Sequence, residues 1–265
     1  MKEFWTRILI AMIGIPAVIG LIYLGDIYLT GLVIIVSLIA IYELTDIVAK
    51  KDIPVNRLNT SAAAIAILIT AGINPPMLIY ILPITLIYIL TTMLIGKVEN
   101  SFQSVASSTF TIIYIPINLS FFLMIRQLPD HGYNILLLGL IVIWVCDSFA
   151  YIFGSLLGTT SITPQISPNK TITGSLAGLA GSLLVVYLFH YLGFVDFELL
   201  PLLGLGLITG IFAQLGDLIE SVLKRDTGVD DSSDLLLGHG GILDRIDSIL
   251  LASPVLYLYA QIFLL

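Results

Sequence analysis

The chain has 265 residues, 58% of them apolar and only 11% charged, with a mean hydropathy of +1.05 and a formal net charge of −7. That composition excludes a water-soluble core wrapped in a polar surface, so the solvent for most of the chain is lipid. A single cysteine, Cys146, excludes both a disulfide framework and a cysteine metal cluster.

The apolar segments are apolar all round instead of alternating, which predicts helices and excludes a transmembrane barrel. Nine spans follow in chain order, at about 8–24, 27–48, 59–73, 77–95, 104–126, 133–154, 174–194, 199–223 and 242–263, most of them long enough for a hydrocarbon core of about 30 Å. The first lacks a small-residue cleavage site and is read as a retained span. The third is short and Ala-rich, and the breaker Asn74-Pro75-Pro76 follows it at once. With the amino terminus in the cytoplasm, Lys2, Arg7, Lys50, Lys51, Arg57, Lys97, Lys170, Lys224, Arg225 and Arg245 fall on the inner side and only Arg126 outside. The expected fold is therefore all-α and polytopic. It is one membrane domain over 1–265, with amino-terminal spans in 1–130 and a second helical region, expected to hold the functional site, in 131–265.

Charge in lipid is costly, and here it is concentrated. Eight of the eighteen acids lie between Asp217 and Asp247, so the net charge itself says little about partners; nucleic acid is not expected among them. Asp217, Glu220, Ser221 and Lys224 stand at i, i+3, i+4 and i+7, one face of a helix that continues out of the eighth span. Gly238-His239-Gly240-Gly241 then leads into Asp244, Arg245 and Asp247 at the start of the ninth. Oxygen ligands without Cys or paired His suit Mg2+, which keeps waters and completes its shell with phosphate oxygens. The glycines beside His239 allow backbone N–H groups to approach phosphate closely.

A second constellation lies upstream. Asp147, Ser148 and Tyr151 sit deep in the sixth span, and the polar loop Gly158–Gly174 carries Ser167, Lys170 and Thr171 on the same cytoplasmic side. Plainer readings suit other residues. Asp226, Asp231 and Asp234 fit a solvated face, and Tyr42, Glu43 and Asp46 fit the interface at the end of the second span. His131 and His190 are isolated, and Trp5 and Tyr23 belong to the aromatic belt.

Taken together, Ser221 to Arg225, Asp231-Ser232 and Gly238 to Asp247 with the pattern HGG-x-x-DR-x-D resemble the signature of bacterial phosphatidate cytidylyltransferases (CDP-diacylglycerol synthases). Gly216 to Glu220, Asp147 to Tyr151 and Ser167 to Thr171 follow the family's order and spacing, so the detailed match covers about 140–250. The resemblance implies that phosphatidic acid attacks the α-phosphorus of CTP in the bilayer of the bacterial cytoplasmic membrane, with the site facing the cytoplasm. It implies Asp217, Asp244 and Asp247 as Mg2+ ligands, with a second metal ion allowed. Lys224, Arg225 and Arg245 would hold phosphates; Asp147, Ser148, Tyr151, Ser167, Lys170, Thr171, Glu220, Ser221, Asp231, His239, Gly240 and Gly241 would line the substrate pocket. The chain differs from the family pattern at Asp230, Leu237, Asn169 and Thr173, and Thr159, Thr160 and Ser161 replace a basic stretch. An ion-coupled transporter and a catalytically impaired, structural family member stay open as alternatives. A homodimer is the default symmetric assembly, and Gly174, Gly178 and Gly181 offer faces for close helix contact within one chain or between two.

Overall fold

The computed structural model describes residues 2–94, 100–233 and 240–265, with side chains from residue 12 onward. The helices are α1 (Lys2–Leu24), α2 (Asp26–Ala49), α3 (Arg57–Ile73), α4 (Leu78–Thr91), α5 (Ser101–Ile112), α6 (Asn118–Arg126), α7 (Gly132–Leu157), α8 (Ile172–Tyr191), α9 (Leu199–Thr227) and α10 (Leu243–Phe263). A hairpin of β1 (Ser161–Thr163) and β2 (Ser167–Thr171) joins α7 to α8, with Ser161 opposite Thr171 and Thr163 opposite Ser167. The all-α expectation is corrected to that extent: the polar segment before α8 satisfies part of its backbone by strand pairing.

Among the described residues, seven helical rods are long and apolar enough to cross a membrane. The part of α1 whose side chains are described, Met12–Leu24, and α3 fall short of that length. The 17 residues of α3 cover about 26 Å at 1.5 Å per residue, below a hydrocarbon core of about 30 Å. Large apolar side chains cover the outer faces, Ile27 and Ile79 among them, a surface that lipid solvates and water does not.

The chain divides into two compact units, Met1–Met124 with Thr227–Arg245, and Ile125–Asp226 with Ile246–Leu265. In the first, α2 packs along α3, and α3 also meets α4 and α5. Ala63, Ala64 and Ala71 on α3 are buried, as are Ala40, Ile41 and Leu44 on α2; alanines let two backbones close up where lipid supplies no hydrophobic drive. Arg57 pairs with Asp46, tying the end of α2 to the start of α3, and the Asn56 side chain caps α3 by accepting from Asn59 N–H at 3.1 Å. Between α5 and α6 the helix widens into a π turn, Ile113–Ile117, around Pro116, which has no N–H to give. The Asn118 side-chain amide donates to the Tyr114 carbonyl at 3.0 Å in the same turn.

The second unit is built on glycine contacts. Gly174 of α8 rests on Ala150 and Gly154 of α7, Gly178 on Cys146, and Gly181 on Val145 and Phe149. The glycine faces that could have served a homodimer are thus occupied within one chain. Val186 and Ser182 of α8 meet Gly206 and Gly210 of α9, and Ile143, Ala213, Ile249 and Ala252 form a core shared by α7, α9 and α10. Gln214 joins three helices: its amide donates to the Ser175 carbonyl at 3.1 Å and lies 3.4 Å from Cys146 Sγ, while its oxygen accepts from the Ser175 hydroxyl.

Candidate functional site

In the second unit, α9 and α10 touch backbone to backbone at Gly216, where any Cβ would run into the Asp247 carbonyl. That approach sets Asp217, the next residue on α9, beside Asp247. The carboxylates of Asp217, Glu220 and Asp247 each offer an oxygen within 4.8 Å of the others. Like charges at that distance repel by about 3 kcal/mol per pair at an effective dielectric near 20, so cations must be near. Two are. Lys170 Nζ lies 2.7 Å from Asp217 Oδ1 and donates to Ser221 Oγ at 3.2 Å, and Lys224 Nζ donates to Glu220 Oε2 at 3.1 Å. Three carboxylates against two ammonium groups leave one formal negative charge, and an all-oxygen donor set fits a hard divalent cation. Asp147 of α7 belongs to the same neighbourhood, close enough to Asp217 and Lys170 to feel both charges.

The hairpin and the end of α7 enclose a cleft of about 510 Å³ lined by Tyr151, Ser161, Pro168, Asn169 and Thr171. Thr171 is also the N-cap of α8, its hydroxyl accepting from Gly174 N–H at 3.1 Å. The Ser167 carbonyl accepts from the Ser161 hydroxyl at 3.3 Å across the hairpin. Arg225 Nε donates to the Ile166 carbonyl at 3.2 Å, fastening the hairpin to the end of α9. Tyr151 is exposed on the outside of α7, and the exposed Ser148 bonds back to the Trp144 carbonyl at 2.7 Å.

The first unit holds the remaining signature residues. Asp244 Oδ2 accepts from Ser232 N–H at 3.0 Å, Ser232 Oγ at 2.7 Å and Gly241 N–H at 2.7 Å. Gly240 adopts a left-handed φ of 71°, which glycine takes without strain, and Asp231 Oδ1 lies near it. Arg245 and Asp231 are exposed, and His239 lies outside the described residues. The grouped acids of the second unit are Asp217, Glu220 and Asp247, and Glu220 is one the sequence pattern had not placed among the metal ligands. Sequence reasoning assigned Glu43 to the interface, yet it is 5% exposed and accepts from Ile242 N–H at 3.0 Å, Leu243 N–H at 2.7 Å and the Ser233 hydroxyl at 2.6 Å. The rule that drew attention to Asp147, an acid within an apolar span, applied equally to Glu43.

Fold and site together define an integral membrane protein with an acidic centre, flanked by lysines, built from its last hundred residues. The chain belongs to the cytidylyltransferase family, whose sequence model matches residues 5–263. It is 35% identical over 256 residues to the phosphatidate cytidylyltransferase of Staphylococcus aureus (strain COL), covering 95% of this chain and 96% of that one. It is 39% identical over 175 residues to the protein of the same name from Bacillus subtilis (strain 168), covering 66% and 65%. The relative of that name from Synechocystis sp. (strain ATCC 27184 / PCC 6803 / Kazusa) is 32% identical over 285 residues, covering 97% of each.

Proposed function

We propose that this chain transfers a cytidylyl group from CTP to phosphatidic acid, releasing pyrophosphate and leaving CDP-diacylglycerol in the membrane. The observation that carries the reading is the grouping of Asp217, Glu220 and Asp247 beside Lys170 and Lys224 in a member of this family. Membership across 5–263 favours this over a transporter or a purely structural role.

In the reaction, an oxygen of the phosphatidate phosphate forms a bond to the α-phosphorus of CTP as the bond from that phosphorus to pyrophosphate breaks. The attacking oxygen is already ionised, so no strong general base is required of the protein. Asp217, Glu220 and Asp247 would hold Mg2+, which when bound would supply positive charge to the phosphate oxygens. Lys170 and Lys224 exchange their carboxylate partners for phosphate oxygens, the charge that Asn169 and Asp230 do not provide. Asp244, with Oδ2 taken by Ser232 and Gly241, is assigned to hold the loop before α10. Ten of the eleven basic residues share one face under a cytoplasmic amino terminus and nine spans, which supports a site opening to the cytoplasm from the bacterial inner membrane.

The test is CDP-diacylglycerol formation by purified protein in lipid with Mg2+ titrated. Turnover that stops on chelation, returns with Mg2+ and is lost in Asp217→Asn and Asp247→Asn supports the proposal. Folded protein without turnover, or turnover indifferent to chelation and to both substitutions, refutes it.

A further inference from the structure

The proposed transfer needs the start of α10 held in one place, and the sequence there is poorly equipped to hold itself. The first N–H groups of a helix have no partner within it and are usually capped by a polar side chain just before its first residue. Before Leu243 stands Ile242, whose side chain accepts nothing. The acceptor comes from α2 instead: one oxygen of Glu43 takes the Ile242 N–H and the other the Leu243 N–H. Ser233 donates its hydroxyl to the same carboxylate at 2.6 Å.

Ser232 completes the joint. Its hydroxyl is 2.7 Å from Asp244 Oδ2 and 3.4 Å from Glu43 Oε2; with one proton to give, it donates to Asp244 and leaves Glu43 to the two amides and Ser233. Glu43 and Asp244 thus bind residues 232–233 and 241–243 from opposite ends. Gly241 explains itself in the same terms, because a Cβ there would lie 2.5 Å from both Glu43 oxygens. The second glycine of the signature is required by the Ser232 hydroxyl, which lies closer still, and by a carboxylate on α2. A negative charge at the amino end of α10 also complements the helix dipole.

We propose that Glu43 is a positioning residue for the cytidylyl transfer proposed above, and rests on that reading: it fixes the first turn of α10, and with it Asp244 and Arg245. Glu43→Gln keeps the side chain's size but turns one acceptor into a donor, facing an N–H or a hydroxyl that also donates. The variant is measured in lipid for kcat and for the KM of CTP, and by hydrogen–deuterium exchange. The expected result is a fall in kcat of about 10- to 100-fold with KM changed by less than about threefold, the range typical of residues that orient a site without touching substrate. Exchange over 241–246 should accelerate by at least about tenfold while α7 and α8 stay protected. Glu43→Asp, which keeps the charge, should recover part of both effects.

Unchanged kcat with unchanged exchange at 241–246 overturns the proposal. So does a loss of activity with faster exchange throughout α7 and α8, which marks general destabilisation. Absence of CDP-diacylglycerol formation by the unsubstituted protein would instead strike the transfer reading, while exchange at 241–246 would still decide whether Glu43 anchors α10.

Discussion

Replacing Gly216 with alanine pushes a methyl group into the contact that brings two of the proposed ligands together. The added carbon would lie 3.1 Å from the Asp247 carbonyl carbon and 3.1 Å from Ser248 Cα, and closer still to the carbonyl oxygen. The contact with the carbonyl oxygen is the tightest, and restoring it to a van der Waals distance of about 3.4 Å requires α9 and α10 to part by roughly 1 Å. Overpacking of this kind costs about 1–3 kcal/mol of stability. A displacement of about 1 Å at reacting groups costs on the order of 100-fold in rate, or about 2.7 kcal/mol of barrier. The assay pairs thermal unfolding in detergent micelles with CDP-diacylglycerol formation at saturating CTP and Mg2+, at a temperature where the variant is folded. A kcat within about threefold of the parent, under 1 kcal/mol of barrier, would refute the claim that Gly216 sets the spacing of Asp217 and Asp247.

Two further substitutions report on stability. Lys224→Met withdraws the ammonium group from Glu220, whose side chain is 1% exposed, and should cost about 3–5 kcal/mol, read as a lower melting temperature. Adding Glu220→Gln should recover most of that loss, and an unchanged melting temperature in the single variant would contradict the assignment. Thr171→Val preserves shape but removes the oxygen that caps α8, and should cost about 1 kcal/mol in denaturant titration; no change would mean that solvent replaces the cap.

The helices were legible because lipid imposes a length and a uniform apolarity on each span, and helical segments stand at all nine expected places. What the pattern could not give was the threshold: α3 has the composition of a span without its length. The hairpin at Ser161–Thr171 left no alternating apolar signature, since its residues are mostly polar and its pairing is a backbone property. Within the site, helical spacing put Asp217, Glu220 and Lys224 on one stripe, and the structure keeps them together. The same spacing put Asp244 with Asp247 on α10 but could not report that Ser232 and Gly241 claim the Asp244 carboxylate. Glu43 was read as interfacial because local sequence shows an acid near the end of a span, while its partners lie 189 to 200 residues further on.

That separation also sets a timetable. Ribosomes add about 5–20 residues per second, so the amides that Glu43 binds are made about 10–40 s after it. Throughout that interval α2 must carry its carboxylate without them. Glu43 stands six residues before the end of α2 at Ala49, about 9 Å of helix from the span's edge, a depth from which a side chain reaches headgroup water. The carboxylate can therefore wait hydrated until the last helix arrives to displace its water, and a chain that fails to seat α10 leaves an acid open to solvent as the mark of incomplete assembly.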